Sequence, residues 1–279
     1  MNPGLGAKFG FNVFDQPPEN FFEYASDKKL KHIEINLTGN HSILQSFDNK
    51  RIRKLKKLAA ENKIKLSIHL PYTVNISDII GPIRNGSITY LKECILFASK
   101  IKATHITAHI GSFYWFPFEK YMRRKALHRF LKYLREILLL CEMHNVKIAL
   151  ENVVPIPQGS EFYLLGDNIE DFKYIFENVD SKYLKFCLDT GHANMGEGVI
   201  SYINNFYDKL ISVHFHDNKG TNDEHLPVGK GTVPWLSLAE ELEVIKYRGP
   251  LVSECRNINP HEAAELFQSY FNIIKNQTP

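Results

Sequence analysis

The segment 184–218, LKFCLDTGHANMGEGVISYINNFYDKLISVHFHDN, carries the pattern on which the fold prediction rests. Its two ends, 184–190 and 210–217, are short apolar runs rich in β-branched and aromatic residues, which is typical of buried strands. Between them, 199–207 has the apolar spacing of an amphipathic helix. A strand, a helix and a second strand in this order predict a parallel βαβ unit.

The same alternation extends from this unit to both ends of the chain. Eight strands and eight helices predict a closed (β/α)₈ TIM barrel with parallel strands, in preference to an open doubly wound sheet. No Pro/Gly/Ser-rich linker divides the chain, so we expect 1–279 to form a single domain. The predicted strands are 9–14, 32–37, 65–70, 104–110, 147–153, 184–190, 210–217 and 250–255. The predicted helices are 18–27, 48–62, 87–100, 118–145, 169–178, 199–207, 233–246 and 260–275.

Composition excludes several classes of protein. The 279 residues are 44% hydrophobic and 23% charged, which is ordinary globular usage and not that of a disordered or collagenous chain. A net charge of +3 provides no overall signature of polyanion binding. No signal peptide or membrane span is apparent, and the four cysteines are far apart without a CxxC motif. We therefore expect a cytoplasmic protein without a membrane partner.

Metal-competent side chains stand at the carboxyl ends of six successive predicted strands. A barrel brings strand ends around one axis, so we expect these residues to converge although they are distant in sequence. A buried group of carboxylates needs a counter-charge, which a divalent cation supplies. A structural network of polar side chains is the alternative for the same cluster. The residues are His69, His109, Glu151, Asp189 together with His192, His214 and Glu254.

Four members of this set predict one metal site. Glu151, Asp189, His214 and Glu254 offer three carboxylates and one imidazole. Such a set suits Mn²⁺, Mg²⁺ or Co²⁺ and is also compatible with Zn²⁺, so the identity of the metal stays open.

The loop NDEHLPVGKG and the flanking strands add weaker candidates. Asp223 and His225 hold a second metal with His192, or they orient the loop over the first site. His216 lies two residues beyond His214 and therefore shares its face of the strand. By the same spacing Arg256 shares a face with Glu254, where it binds a substrate phosphate or carboxylate, or forms a surface ion pair.

An aromatic run, 113–116, follows the fourth predicted strand and contains Trp115. This run forms a pocket wall against a small ligand, or packs on the core or on a neighbouring subunit of a homo-oligomer.

Three motifs carry a resemblance to a known family: IALEN around Glu151, FCLDTGHAN around Asp189, and VHFHDNKGTNDEHLPVGKGTVPW from Val213 to Trp235. Together they resemble the xylose isomerase-like TIM-barrel superfamily, over residues from about 9 to 271. This superfamily contains sugar and sugar-phosphate isomerases and epimerases together with endonuclease IV.

The resemblance implies roles for individual residues. In the isomerases and epimerases, the positions of Glu151, Asp189, His214 and Glu254 hold one metal, and the two glutamates act as acid and base. In endonuclease IV further ligands raise the number of zinc ions to three, and Tyr72 matches a tyrosine that contacts DNA. The positions of these further ligands are occupied here by His69, His109, His192, Asp223 and His225.

The surroundings favour the isomerase group. Where endonuclease IV has His-Pro-Gly, an AGQG-like run and DTCHxF, this chain has HIGS, NVVPIPQGS and DTGHAN. The resemblance thus implies a metal-dependent isomerase or epimerase of a small sugar or sugar phosphate, with Tyr72, His216, Arg256 and Trp115 near the substrate. The alternative is a zinc-dependent endonuclease at abasic sites, with DNA as its partner. A related dehydratase and a barrel that binds a ligand without chemistry are further alternatives.

Overall fold

The computed structural model describes residues 8–14, 16–114 and 119–277. Ten strands follow one another along these segments: β1 (Lys8–Val13), β2 (His32–Asn36), β3 (Lys65–His69), β4 (Ile106–Ala108), β5 (Gly111–Tyr114), β6 (Ile148–Glu151), β7 (Phe162–Leu165), β8 (Leu184–Asp189), β9 (Leu210–Phe215) and β10 (Pro250–Ser253).

Eight of these strands close into a barrel, and every neighbouring pair is parallel. The order around the barrel is β1, β10, β9, β8, β6, β4, β3, β2. Each of the eight strands predicted from the sequence overlaps one of them. The predicted (β/α)₈ barrel is therefore confirmed.

The helices surround the barrel. They are α1 (Phe22–Asp27), α2 (Asn49–Glu61), α3 (Gly81–Ile101), α4 (Glu119–His144), α5 (Ile169–Asn178), α6 (Thr190–Met195), α7 (Val199–Phe206), α8 (Trp235–Val244) and α9 (Pro260–Gln277). Helix α3 begins six residues earlier than predicted, because Pro82 is accommodated in its first turn. Helix α6 was not predicted. It is a single short segment that Asp189 caps through a hydrogen bond from the His192 backbone N–H. Within the described residues, no helix has the length and apolar character needed to span a bilayer.

A two-stranded antiparallel sheet of β5 and β7 is a second feature that the sequence did not predict. It covers part of the carboxyl end of the barrel, since β5 follows β4 and β7 follows β6, and these two barrel strands are neighbours. Phe113 of the aromatic run is buried here and stacks on Tyr163, with ring centroids 5.5 Å apart. Trp115 lies outside the described residues.

Successive side chains of a barrel strand point alternately outward, towards the helices, and inward, into the lumen. The outward side chains are apolar, whereas the lumen is polar. In β2, Ile33 and Ile35 belong to the hydrophobic core against the helices, whereas His32 and Glu34 share the opposite face. The Glu34 carboxylate accepts hydrogen bonds from Ser67 of β3 and Thr107 of β4. The lumen is therefore a connected polar layer, and all of these residues are fully buried.

His32 lies at the amino-terminal side of this layer. Its Nε2 is 2.8 Å from the Ser67 hydroxyl, and its ring stacks on that of His105 at 6.0 Å. Burial, followed by the proximity of His105, lowers the pKa of His32 from 6.5 to about 3. His32 is therefore neutral in the folded protein over the pH range in which an unfolded chain protonates its histidines.

This difference predicts a specific acid sensitivity. A base whose pKa is lower in the folded state contributes stability that is complete above pH 6.5 and is lost as the pH falls towards 3. Between pH 7 and pH 5 the loss from His32 amounts to about 2 kcal/mol. The variant His32→Gln keeps a hydrogen-bond partner for Ser67 but cannot titrate. From pH 7 to pH 5 we expect its free energy of unfolding, measured with urea, to fall by about 2 kcal/mol less than that of the wild type.

The matched control is His128→Gln at an exposed position of α4. Its unfolding free energy should follow that of the wild type at both pH values. Parallel curves for His32→Gln and the wild type would contradict the prediction.

Candidate functional site

A cavity of about 780 Å³ opens at the carboxyl end of the barrel. Most of the site residues predicted from the sequence line this cavity: His69, Tyr72, His109, Glu151, His192, Asp223, His225, Glu254 and Arg256. Three others are fully buried and do not line it, namely Asp189, His214 and His216.

Glu151 is the centre of a first cluster. One carboxylate oxygen, Oε2, lies 3.0 Å from His69 Nε2 and 3.1 Å from His109 Nε2, and the other, Oε1, lies 2.7 Å from His214 Nδ1. Glu254 Oε1 is 3.3 Å from the same Nδ1 atom and accepts a hydrogen bond from the Asn12 side chain. Strands on different sides of the barrel thus deliver two carboxylates and three imidazoles to one place.

Asp189 and Asp223 organise a second, adjacent cluster. His216 Nε2 lies 3.0 Å from Asp189 Oδ1, and the ring of His216 stacks on that of His225 at 3.9 Å. Asp223 Oδ2 is 3.0 Å from His225 Nε2 and 3.6 Å from His192 Nε2. His216, a weaker candidate from the sequence, is therefore an integral member of this cluster.

The predicted set of four ligands is divided between the two clusters. Glu151, His214 and Glu254 lie together, whereas the Asp189 carboxylate is turned towards His192 and His216. Asn152 holds Asp189 in this place, because its side chain both donates to the Asp189 carbonyl and accepts from the Asp189 backbone N–H. Among the described residues, no group of ligand atoms within 4.8 Å joins Asp189 to the other three. A single ion held by all four stays a prediction.

Burial and charge oppose each other in the first cluster. Burial raises the pKa of Glu151, but His214 and His69 outweigh burial and hold it well below its usual value. Conversely, burial lowers the pKa of His69, yet the Glu151 carboxylate raises it to about 9. The imidazoles thus carry the positive charge that keeps the buried carboxylate ionised.

The second cluster has the same balance. Burial lowers the pKa of His192, but Asp189 and the hydrogen bond with Asp223 raise it to about 10. The pKa of Asp223 lies below its usual value, because its hydrogen bonds with His192 and His225 outweigh burial.

The orientation of three histidines fits a metal ligand. His69, His192 and His225 each place Nδ1 within 2.9 Å of a backbone carbonyl oxygen, which is an acceptor, so that Nδ1 carries a proton and Nε2 faces a carboxylate. This arrangement of a ring N–H held by a carbonyl is common in histidines that ligate metals.

Several buried polar atoms also lack a hydrogen-bond partner in the described part of the chain, including both ring nitrogens of His109, His216 Nδ1 and Asp223 Oδ1. Buried imidazole nitrogens and carboxylate oxygens without a hydrogen-bond partner are the kinds of donor atom that bind a divalent cation.

Two residues at the site escaped the sequence analysis. Glu34 of β2 is fully buried, with Oε1 2.9 Å from His214 Nε2. Asn12 of β1 donates to Glu254. The signal for Glu34 was a glutamate between two isoleucines in HIEIN, since a charge in an apolar strand needs a partner inside the barrel.

Tyr72 and Arg256 stand at the mouth of the cavity. The Tyr72 ring stacks on His109 with centroids 3.6 Å apart and is 51% exposed. Arg256 is exposed, and its backbone N–H donates to the carbonyl of His225, which joins the loops after β9 and β10. His225 itself has a φ of 50°, a left-handed conformation that this contact holds in place.

Residues 22–273 match the family model described as xylose isomerase-like TIM barrel. The chain belongs to this family. The solved structure of a D-tagatose 3-epimerase-like protein resembles this member of the xylose isomerase-like family with a TM-score of 0.84 and 25% sequence identity. The match covers 98% of this chain and 100% of that one.

Two curated relatives show the range of the family. A D-psicose 3-epimerase from Ruminiclostridium cellulolyticum is 26% identical over 247 residues, which cover 88% of this chain and 81% of that protein. A probable endonuclease 4 from Mycoplasma capricolum is 26% identical over 245 residues, covering 82% of this chain and 74% of that protein. Membership of the xylose isomerase-like family therefore does not by itself select the reaction.

The loop after β9, which carries Asp223 and His225, is organised by one buried carboxylate. Asp217 accepts hydrogen bonds from the Trp235 indole and from four backbone N–H groups of the loop, those of Asn218, Gly229, Gly231 and Val233. Gly231 permits this contact, because a Cβ atom there would lie 2.1 Å from the Asn218 carbonyl oxygen. The second cluster thus depends on Asp217.

We expect Asp217→Ala to lower the free energy of unfolding by about 3 kcal/mol or more, because it leaves five donors without their acceptor. Urea unfolding followed by circular dichroism measures this loss. Asp208→Ala, at an exposed pair with Lys209, is the control and should remain within about 0.5 kcal/mol of the wild type. Equal stability of the two variants would show that Asp217 does not hold the loop.

Proposed function

We propose that this protein is a metal-dependent isomerase or epimerase of a small sugar or sugar phosphate. The observation that carries the proposal is the placement of Glu151 and Glu254 on the wall of one cavity, both within 3.3 Å of His214 Nδ1. The similarity to a D-psicose 3-epimerase and to a D-tagatose 3-epimerase-like protein supports it. We also propose that the chain is a single domain, since one continuous hydrophobic core runs through the described residues.

The proposed metal site uses the side chains that meet at the floor of the cavity. Glu151, His214 and Glu254 hold the ion, with Asp189 as the fourth ligand. A divalent cation at this position supplies positive charge that stabilises the negative charge developing on substrate oxygens. Mn²⁺, Mg²⁺, Co²⁺ and Zn²⁺ are all compatible with such a donor set.

The two glutamates carry the proton transfer. One carboxylate takes the proton from the carbon next to the substrate carbonyl, and the electron pair of the broken C–H bond moves towards the carbonyl oxygen. The other glutamate, in its protonated form, returns a proton to the same carbon from the opposite side, which re-forms the carbonyl and inverts that centre. Isomerisation instead requires return of the proton to the neighbouring carbon, together with transfer of the hydroxyl proton of the starting carbon to the former carbonyl oxygen. Asn12 fixes the orientation of Glu254 through its hydrogen bond to Oε1.

The rest of the cavity suits a small polar substrate. His69 and His192 present Nε2 towards the cavity and are suited to orient hydroxyl groups. Phe14 and Tyr72, about half exposed at the mouth, offer ring faces to the C–H groups of a sugar. Arg256 lies on the cavity wall, where its guanidinium group suits a substrate phosphate.

Glu151→Gln and Glu254→Gln should each reduce turnover by at least about 10³-fold, because an amide can neither take nor return the proton. The assay follows metal-dependent incorporation of deuterium from D₂O into a panel of ketoses and their phosphates. Glu161→Gln, an exposed change on the same face of the barrel, is the matched control and should keep full activity. Wild-type rates in both glutamine variants would overturn the mechanism and favour a barrel that binds without chemistry.

The second cluster favours one other candidate function. His192, Asp223 and His225 form a further group of metal-competent side chains at the cavity wall, and the relatives include probable endonuclease 4 proteins. A zinc-dependent endonuclease at abasic sites therefore remains the alternative, with Tyr72 at the mouth in contact with DNA.

The charge of the rim argues for the sugar. In the described part of the strand-to-helix loops, ten acidic residues stand against three basic ones, whereas a phosphodiester backbone requires a basic rim. The acidic residues are Glu19, Asp48, Asp78, Glu161, Asp167, Glu197, Asp217, Asp223, Glu224 and Glu254, and the basic ones are Lys219, Lys230 and Arg256.

Metal content separates the two candidates. We expect one tightly held divalent ion per chain in elemental analysis of protein purified without chelators, and no cleavage of a duplex that contains an abasic site. Three zinc ions per chain together with metal-dependent cleavage of that duplex would reverse the assignment. An intact duplex without an abasic site controls for contaminating nucleases.

A further inference from the structure

Glu34 is a buried carboxylate that the proposed reaction leaves without a role. It lies in β2, on the lumen side of the barrel, with a fully buried side chain that is not part of the cavity wall. Burying a carboxylate without compensation is costly, so its partners indicate what it does.

The two oxygen atoms of Glu34 have different surroundings. Oε2 accepts hydrogen bonds from the Ser67 hydroxyl at 2.7 Å and from the Thr107 hydroxyl at 3.0 Å. The Ser67 hydroxyl is also hydrogen-bonded to His32 Nε2, 2.8 Å away. Oε1 points instead at His214 Nε2, 2.9 Å away. The hydroxyl groups thus fix one oxygen and aim the other at a single imidazole nitrogen.

His214 lies between Glu34 and the proposed metal ligands. Its Nε2 faces Glu34, whereas its Nδ1 faces Glu151 at 2.7 Å and Glu254 at 3.3 Å. The Nε2 and Oε1 atoms are close but not aligned as a hydrogen bond, and neither has another partner among the described residues.

We propose that Glu34 is a positioning residue, which accepts the Nε2 proton of His214 and so leaves Nδ1 to coordinate the divalent cation. A neutral imidazole carries one proton, and the nitrogen that carries it cannot bind a metal. A carboxylate at Nε2 selects the tautomer in which Nδ1 is free, and its negative charge makes Nδ1 a stronger donor. The inference rests on the proposed metal site but not on the sugar chemistry.

Glu34 is close to other metal-competent side chains, since one of its carboxylate oxygens lies within 4.8 Å of ligand atoms of His69, His214 and Glu254. Its Oε2 already accepts hydrogen bonds from two hydroxyl groups, and its Oε1 faces His214 Nε2, the ring nitrogen opposite to the one that faces Glu151 and Glu254. These contacts favour an action on the cation through His214, and the spectrum of the bound ion distinguishes this role from direct ligation.

The test is a titration of the full chain with Co²⁺, followed by the visible absorption of the bound ion. We expect E34Q to bind Co²⁺ about 10- to 100-fold more weakly, because the amide has no charge to hold the Nε2 proton in either of its orientations. At saturation the spectrum should match that of the wild type, since the ligands themselves are unchanged.

A matched control separates this effect from the loss of any buried charge. Asp171 of α5 is an equally buried carboxylate, which pairs with Arg123 and does not line the cavity. D171N should leave the affinity for Co²⁺ within about twofold of the wild type. If E34Q does not fold, Thr107→Val replaces it. Removing one of the two hydroxyl groups that hold Oε2 should then weaken Co²⁺ binding several-fold.

Two results would overturn the inference. An affinity of folded E34Q, or of Thr107→Val in its place, within twofold of the wild type would show that Glu34 is only a structural residue. A changed spectrum of E34Q at saturation would show that Glu34 is itself a ligand. Because the readout is metal affinity, a weaker E34Q would support the role of Glu34 even if no sugar were turned over. Failure of the wild type to bind Co²⁺ would reject both this inference and the proposed metal site.

Discussion

A carboxylate without access to water must be compensated by groups that the fold itself brings to it, and in this barrel the constraint is strictest at Glu151. Burial raises the pKa of this side chain, yet three imidazoles from β3, β9 and the segment after β4 hold the pKa well below its usual value. In return the pKa values of His69 and His214 are raised, whereas at His109 burial outweighs the contact with Glu151 and lowers the pKa. Charge is therefore compensated mutually between Glu151 and the first two histidines. The proposed metal site, the cavity floor and the position of Glu254 all depend on this arrangement.

The barrel makes such a cluster possible because its strands alternate. Outward residues such as Ile33 and Ile35 belong to the hydrophobic core, so the inward positions of the same strands are free to be polar. Two further buried carboxylates contact different parts of the site. Glu34 lies beneath His214 in the lumen, and Asp217 organises the loop that carries the second cluster. The partners of Glu34 come from other strands of the barrel, whereas those of Asp217 come from its own loop and from Trp235 at the start of α8.

The local pattern of apolar residues was sufficient to predict the strands of the barrel from the sequence. Each strand is a run whose apolar content and length identify it without knowledge of its neighbours, and the predicted strands agree with the observed ones for this reason. The sheet of β5 and β7 could not be found in this way, because Gly111 pairs with Leu165 across 54 positions and neither segment has a strong strand pattern alone. Helix α6 was missed because its six residues are too few for helical periodicity, and the cap by Asp189 marks it only once the fold is known.

The sequence by itself determined that acids and histidines stand at the carboxyl ends of successive parallel strands, since closure of a barrel leaves them no other place to gather. The tertiary structure alone decided which of them touch. Asp189 turns to His216 because Asn152 and the start of α6 fix it, and Glu34 reaches His214 because β2 and β9 face each other across the lumen. Strand periodicity specifies the face on which a side chain lies, but the choice among partners a few ångströms apart depends on packing and hydrogen bonds from distant segments.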